Sequence, residues 1–283
     1  SLMTTASDNT AVGRSALKAN TTGANNTAIS TQSLAANTTG AENSALGVCA
    51  LTSNTTGDRN VAVGYQAFCS NTTGERGTAI GWCALACNTD SRQNIGVGYI
   101  SLYRNTTGEF NTSVGSASLS QNTTADYNVG VGYESLNGNT TGAKNTAVGS
   151  QALKALTTGS ENTGVGFGTM NSAVTGQGNT ALGHGNMASL TSGATNTSIG
   201  NSATPALTTG SNNTTAGDAS GISLTSGSNN LLLGHDAGRS GSPGGTIGTS
   251  SNFIVLGDEN ITNAAIQVDW TVASDQRDKT DFN

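Results

Sequence analysis

The chain has 283 residues with 39 glycines, two prolines, 10% charged and 4% aromatic residues, and a formal charge of −6. So few bulky apolar side chains cannot fill an ordinary globular core, and the acidic balance lacks the basic stripe that nucleic acid requires. No apolar run approaches a membrane span, the longest being stretches such as Leu231–Leu233 and Ile254–Leu256, so no membrane insertion is expected.

The opening residues show no basic-then-apolar leader pattern. From Asn9 the chain enters a register that holds for most of its length. An asparagine recurs every 17 residues, at Asn26, Asn43, Asn60 and then from Asn94 to Asn230, with Gly77 alone breaking the row. Three residues after each stands an aliphatic, from Val12, Ile29, Leu46 and Val63 to Leu233, with Ala216 the exception. A glycine follows it, from Gly13 to Gly234, with Ser30 the exception. Low-complexity linkers keep no such period, and disordered chains carry more charge.

Each unit reads N-T-A-V-G, a variable pair, A-L, then N-T-T-G, which is strand-like alternation bounded by turn residues. A unit this short cannot bury its own apolar face, whereas stacked units can. The fold class expected is all-β: a repetitive β-solenoid or β-roll rod of 17-residue coils. Fourteen coils stacked about 4.8 Å apart would extend roughly 65–70 Å. Asparagines would form side-chain ladders, glycines would take the positive φ of the corners, and the aliphatic column would fill the core.

Two columns bear on packing. The residue before the aliphatic is tiny (Ala11, Ala28, Ala45, Ala62, Ala79, Gly96, Ser113, Gly130), which admits a close neighbour. That neighbour is either the opposite wall of a thin coil or a second chain around a symmetry axis. A leucine column (Leu17, Leu34, Leu51, Leu85, Leu102, Leu119, Leu136, Leu153) gives way to Met170, Met187, Thr204 and Gly221. From the coil of Leu153 onward the N-T-T-G asparagine becomes Leu156, Ala173, Leu190, Leu207 and Leu224, so core volume is kept while its source migrates.

The column after the glycine gathers most of the aromatics: Val48, Tyr65, Trp82, Tyr99, Tyr133, Phe167, His184 and His235. Exposed, Tyr65, Trp82, Tyr99, Tyr133 and Phe167 are candidates for stacking on the sugars of a cell-surface glycan; otherwise they pack coil edges or interlock chains. The Asn-Thr-Thr triplets are formal glycosylation sequons, but turns capped by Asn side chains account for them better. Asp58, Glu75, Glu109 and Asp126 share a turn column beside Arg59, Arg76 and Tyr127, which suits cross-coil charge pairs on a wet surface. No catalytic constellation and no phosphate loop is present. Cys49, Cys69, Cys83 and Cys87 lack metal-ligand spacing and read as free thiols of a protein assembled in a reducing cytosol. Cys49 and Cys83 share a column two coils apart, about 10 Å by strand spacing and beyond disulfide reach. No cofactor and no metal is expected.

After Gly238 the register fails, and "SNFIVLGDENITNAAIQVDWTVASDQRDKTDF" reads as extended segments ending in S-D-x-R-x-K. The N-T-A-V-G phrases resemble the left-handed parallel β-roll of trimeric adhesin heads. The C-terminal stretch looks like bacteriophage tail-fibre and tailspike proteins where they enter a self-cleaving intramolecular chaperone of the endosialidase type. That resemblance implies a parallel homotrimer and an autocleavage pair, Ser274 and Lys279, with Asp275 and Arg277 also fitting. Only four residues follow Lys279, so the remnant is expected to be inactive and the chain not to be an enzyme. The organisation that follows is a repeat shaft over 1–238, a non-repeating β-rich segment over 239–273 and the start of a truncated chaperone over 274–283. The expected role is structural and adhesive: the distal shaft of a phage tail fibre, assembled in the host cytoplasm and carried on the virion, meeting a host cell-surface glycan or protein receptor. The alternatives are a bacterial trimeric adhesin passenger, a glycan depolymerase and an ice-binding solenoid. The last is disfavoured because the Thr pairs are adjacent in sequence instead of alternating on one face.

Overall fold

The computed structural model describes residues 6–263. Each coil contributes one strand of three residues. Strand β1 spans Thr10–Val12, its successors recur at 17-residue intervals to β14 (Leu231–Leu233), and β15 spans Ile254–Leu256. All fifteen strands lie in chain order in one parallel sheet. Equivalent residues face one another, as in Thr10 with Thr27, Ala11 with Ala28 and Val12 with Ile29. The protein is an all-β parallel solenoid of 17-residue coils, and no helix occurs among the described residues. At about 4.8 Å per strand its axis extends roughly 67 Å.

The glycine that follows each strand is required by space as well as by angle. Gly98 has φ +135°, and a Cβ there would stand 2.4 Å from the carbonyl oxygen of Gly115 on the next coil. The other corners are mostly not made by glycine, contrary to the sequence expectation, although Gly168, Gly178 and Gly185 do occupy three of them. In the fifth coil Cys83, Leu85 and Gln93 all take left-handed φ values of 51°, 51° and 54°. A non-glycine residue there costs about 1–2 kcal/mol. Each corner returns a backbone hydrogen bond to a neighbouring coil: Cys83 N–H to Tyr65 C=O at 2.9 Å, Leu85 to Ser101 at 3.0 Å, Gln93 to Glu75 at 3.1 Å. The corners are thus tied into the stack, and no coil could hold them alone.

The aliphatic column does not form the core. Val12 is 58% exposed, Leu46 49% and Ile80 39%, while the small middle residues Ala28, Ala45, Ala62 and Ala79 are fully buried. The thinness of the coil explains the reversal. A Cβ on Gly96 would lie 3.2 Å from Cδ1 of Leu85 on the facing wall, so the inward strand position has no room for a valine. The close neighbour of the small column is therefore the opposite wall of the coil. The interior belongs to the leucine column, buried from Leu17 to Leu153.

Two asparagine ladders flank it. At the strand entry Asn43 donates its backbone N–H to Asn26 Oδ1 at 3.0 Å and its Nδ2 to Gly57 C=O at 2.8 Å. At the N-T-T-G turn Asn54 donates Nδ2 to Asn37 Oδ1 at 2.8 Å and to Gly57 C=O at 2.9 Å. This second ladder ends at Asn139, because the next coil carries Leu156. The Asn139 Oδ1 is accordingly buried with no donor.

The departures from the repeat compensate one another. Gly77, which replaces an asparagine, faces Phe68, which replaces a leucine: a Cβ at Gly77 would lie 2.3 Å from the ring Cζ. In the tenth coil the buried side chain is Val174, and Ala173, expected in the core column, is exposed. Towards the C-terminus the small strand column enlarges to Thr215, Leu232 and Val255, all buried, as the leucine column shrinks to Gly221 and Gly238. The chain inserts six residues there, since β14 and β15 start 23 residues apart and not 17. It then rejoins the same sheet, with Leu231 facing Ile254.

Candidate functional site

The aromatic column is exposed along the rod edge beside the outward aliphatics. Its rings are also stacked on one another. Trp82 lies between Tyr65 (centroids 6.0 Å, planes 17° apart) and Tyr99 (5.2 Å, 18°). Phe167 stacks on His184 at 5.5 Å. Tyr133 stands between Ser116 and Ser150 in the column. Strand spacing enforces the stacking, because identical positions on adjacent coils are one ring-stacking distance apart. Ring faces within the Tyr65–Trp82–Tyr99 run are therefore engaged with each other, and edges and hydroxyls face outward.

A second stack was not foreseen from sequence. Phe110 and Tyr127 lie parallel within 2° at 5.0 Å, both exposed, in the turn column that elsewhere pairs Arg59 with Glu42 at 3.0 Å and Lys144 with Glu161 at 3.3 Å. Cross-coil charge pairs do occur on this exposed face, but through Glu42 and Glu161 in the arginine column itself. Asp58 and Asp126 of the expected carboxylate column instead accept backbone N–H groups of Ala41 and Glu109 at 2.7 Å. One further pair, Lys154 with Glu134 at 2.8 Å, lies beside Tyr133. The Lys154 hydrogen bond holds the Glu134 carboxyl below its usual range.

A shallow groove of about 400 Å³ near the C-terminal end is lined by Asn212, Asn229, Asn252, Thr214, Leu231 and Phe253, among others. Its lining carries no carboxylate, so it holds no acid–base pair for glycan cleavage. Asparagines of the formal sequons, such as Asn20, Asn37 and Asn54, are wholly buried, which bars an oligosaccharide from the folded rod. Thr hydroxyls of the same turns are engaged as well, Thr38 Oγ1 donating to Thr55 C=O at 3.1 Å. The outward strand face does alternate Thr with aliphatic residues, but Val61, Ile95, Val129 and Leu231 interrupt its Thr row.

The four cysteines are free. Cys49 and Cys83 donate to Gln32 and Gln66, each one coil back at 3.4 and 3.5 Å, which keeps them two coils apart as the register requires. Burial pushes the Cys69, Cys83 and Cys87 thiols up, away from reactive thiolate chemistry. Ser274 and Lys279 lie outside the described residues. No helix among the described residues is long and apolar enough to cross a membrane.

The fold and surface define a parallel β-solenoid repeat rod. The chain matches no protein-family model, and no curated protein is significantly similar to it.

Proposed function

We propose that the chain is a structural and attachment protein, the distal shaft of a homotrimeric phage tail fibre that meets the host surface with its side. The observation that carries this reading is the outward sheet face. An uninterrupted row of Val, Ile and Leu from Val12 to Ile199, alternately exposed and half-buried along most of its length in a single chain, is an unusual surface for a monomer. The whole sheet face from the first strand to the fifteenth, roughly 67 Å long and about 10 Å wide, offers close to 700 Å², near the ~800 Å² per partner of a standard interface. A fibre of parallel chains around a common axis covers it. The resemblance of the C-terminal segment to tail fibres entering an intramolecular chaperone supports the phage setting over an adhesin passenger. Light scattering should then give three times the 28.1 kDa of one chain. A stable monomer would refute the fibre reading.

Host contact falls to the aromatic column in this proposal, through ring edges, hydroxyls and the open faces at the ends of each stack. Replacing Tyr65, Trp82 and Tyr99 together with Ala should leave the assembly state unchanged and reduce adsorption to host cells. Loss of assembly would instead make the rings packing elements. Normal adsorption would move recognition to the amide-lined groove around Asn229 and Phe253.

A further inference from the structure

Near the C-terminus the column that carries aromatics along the rod changes its chemistry. It runs Asp218, His235, Asp258 on successive coils, with Asp236 next to the histidine. The six-residue insertion before β15 is what carries Asp258 to this position, since it directly follows the glycine after that strand. His235 Nδ1 stands 3.6 Å from Asp258 Oδ2 and 3.7 Å from Asp236 Oδ2, and on the other side Nε2 stands 3.7 Å from Asp218 Oδ2. The Nδ1 and the two carboxylate oxygens on its side all lie within 4.8 Å of one another.

From this geometry we infer a divalent metal site in which His235 Nδ1, Asp236 and Asp258 are the ligands, taking a first-row transition ion of the Zn²⁺ type. Nitrogen and oxygen ligands held at about 2.0–2.2 Å from one tetrahedral ion lie roughly 3.4 Å apart, close to the separations here. An imidazole with two carboxylates suits Zn²⁺ and its neighbours, whereas Ca²⁺ and Mg²⁺ take oxygen ligands. The ligands are held from behind. Asn260 donates its backbone N–H and its Nδ2 to the two oxygens of Asp258 at 3.0 and 2.9 Å, the outer-shell support that orients metal ligands. Both ligand carboxylates are largely buried, with 17% and 11% of their side chains exposed, while His235 opens to solvent as an entry side. Charge is left over for a cation. Among the described residues after Lys154, Arg239 is the single fixed positive charge to set against Asp218, Asp236, Asp258 and Glu259, and it is bound to Asp236 Oδ2 at 2.7 Å. A cation must compete with Arg239 for that oxygen. The site would clamp the inserted segment and β15 onto the last regular coil.

The test uses the whole chain, stripped with chelator and titrated with Zn²⁺ at pH 7.5. Metal content should reach one ion per chain, accompanied by a higher melting temperature. His235→Gln and Asp258→Asn should each weaken binding about ten-fold or more, with metal-free melting close to that of the parent chain. Arg239→Ala should strengthen it, and His184→Gln, at the same column without these carboxylates, should change nothing. Equal zinc uptake by His235→Gln and the parent would overturn the site. So would stabilisation that comes only from acidification and not from zinc, because the cluster would then be a protonated histidine among carboxylates.

Discussion

Gly77→Asn should destabilise the rod by about 3 kcal/mol or more, although it restores the residue that the repeat prescribes at that position. The Phe68 ring fills the space: a Cβ at Gly77 would lie 2.3 and 2.4 Å from two of its carbons, and the ring is fully buried. Overpacking a closed interior typically costs 1–3 kcal/mol, and an asparagine adds three more heavy atoms beyond Cβ. Phe68→Leu alone should cost about 1–3 kcal/mol by leaving a void. Together the two changes rebuild a regular coil. Asn60 Oδ1 already accepts the N–H of residue 77 at 2.9 Å, and an asparagine there gains the neighbouring coils as ladder partners. The double variant should therefore melt near or above the parent chain in urea, with a coupling energy of several kcal/mol. Additive losses would show that the ring does not occupy the asparagine's place.

Much of this fold is legible because a solenoid writes its geometry as a period. The 17-residue register gave the strand order and the in-register pairing, whereas the carboxylates expected in the cross-coil charge pairs were the wrong ones. The exchange of Leu for Asn between columns marked a packed interior correctly, apart from the Ala173–Val174 shift. The direction of the strand side chains was not legible. T-A-V alternates either way round, and what decides is the distance to the facing wall, where Leu85 leaves room only for Gly96. The left-handed corners at Cys83, Leu85 and Gln93 carry no signal either, since their side chains are ordinary and the stack alone holds the angle. Gly77 stood out as a break in the asparagine row, but nothing in the sequence tied it to Phe68, nine residues away. The aromatic column was plain, whereas its face-to-face stacking follows only once the rings are placed at strand spacing. Asp258 was hidden for a simpler reason: the insertion moves it out of the 17-residue count that would have aligned it with His235.

The asparagine ladder of the N-T-T-G turns yields a position-dependent result. Asn71 donates Nδ2 to Asn54 Oδ1 at 2.9 Å and to Gly74 C=O at 3.1 Å, and accepts from Asn88 Nδ2 at 3.1 Å. Asn71→Leu would strand the Asn54 oxygen and remove the acceptor of Asn88, both in the dry interior. Buried groups left unpaired cost about 1–3 kcal/mol each, so a net loss of roughly 2–4 kcal/mol is expected after the added apolar burial of leucine. Leucine itself is no misfit, because Leu156, Leu190, Leu207 and Leu224 fill the same column fully buried. The contrast is Asn139→Leu. The Asn139 Oδ1 already lacks a donor, and the substitution transfers that orphan to Asn122 Oδ1, whose donor it removes. The number of unpaired acceptors is unchanged, and residue 139 joins the leucine run that begins at Leu156. Thermal or urea unfolding should therefore show Asn139→Leu costing far less than Asn71→Leu, despite the same chemical change in equally buried sites. Equal losses would mean that the asparagines act as independent turn caps and not as a ladder. A smaller loss at the ladder's end places the energy in the coil-to-coil bonds, which run without a break only while every coil supplies its asparagine.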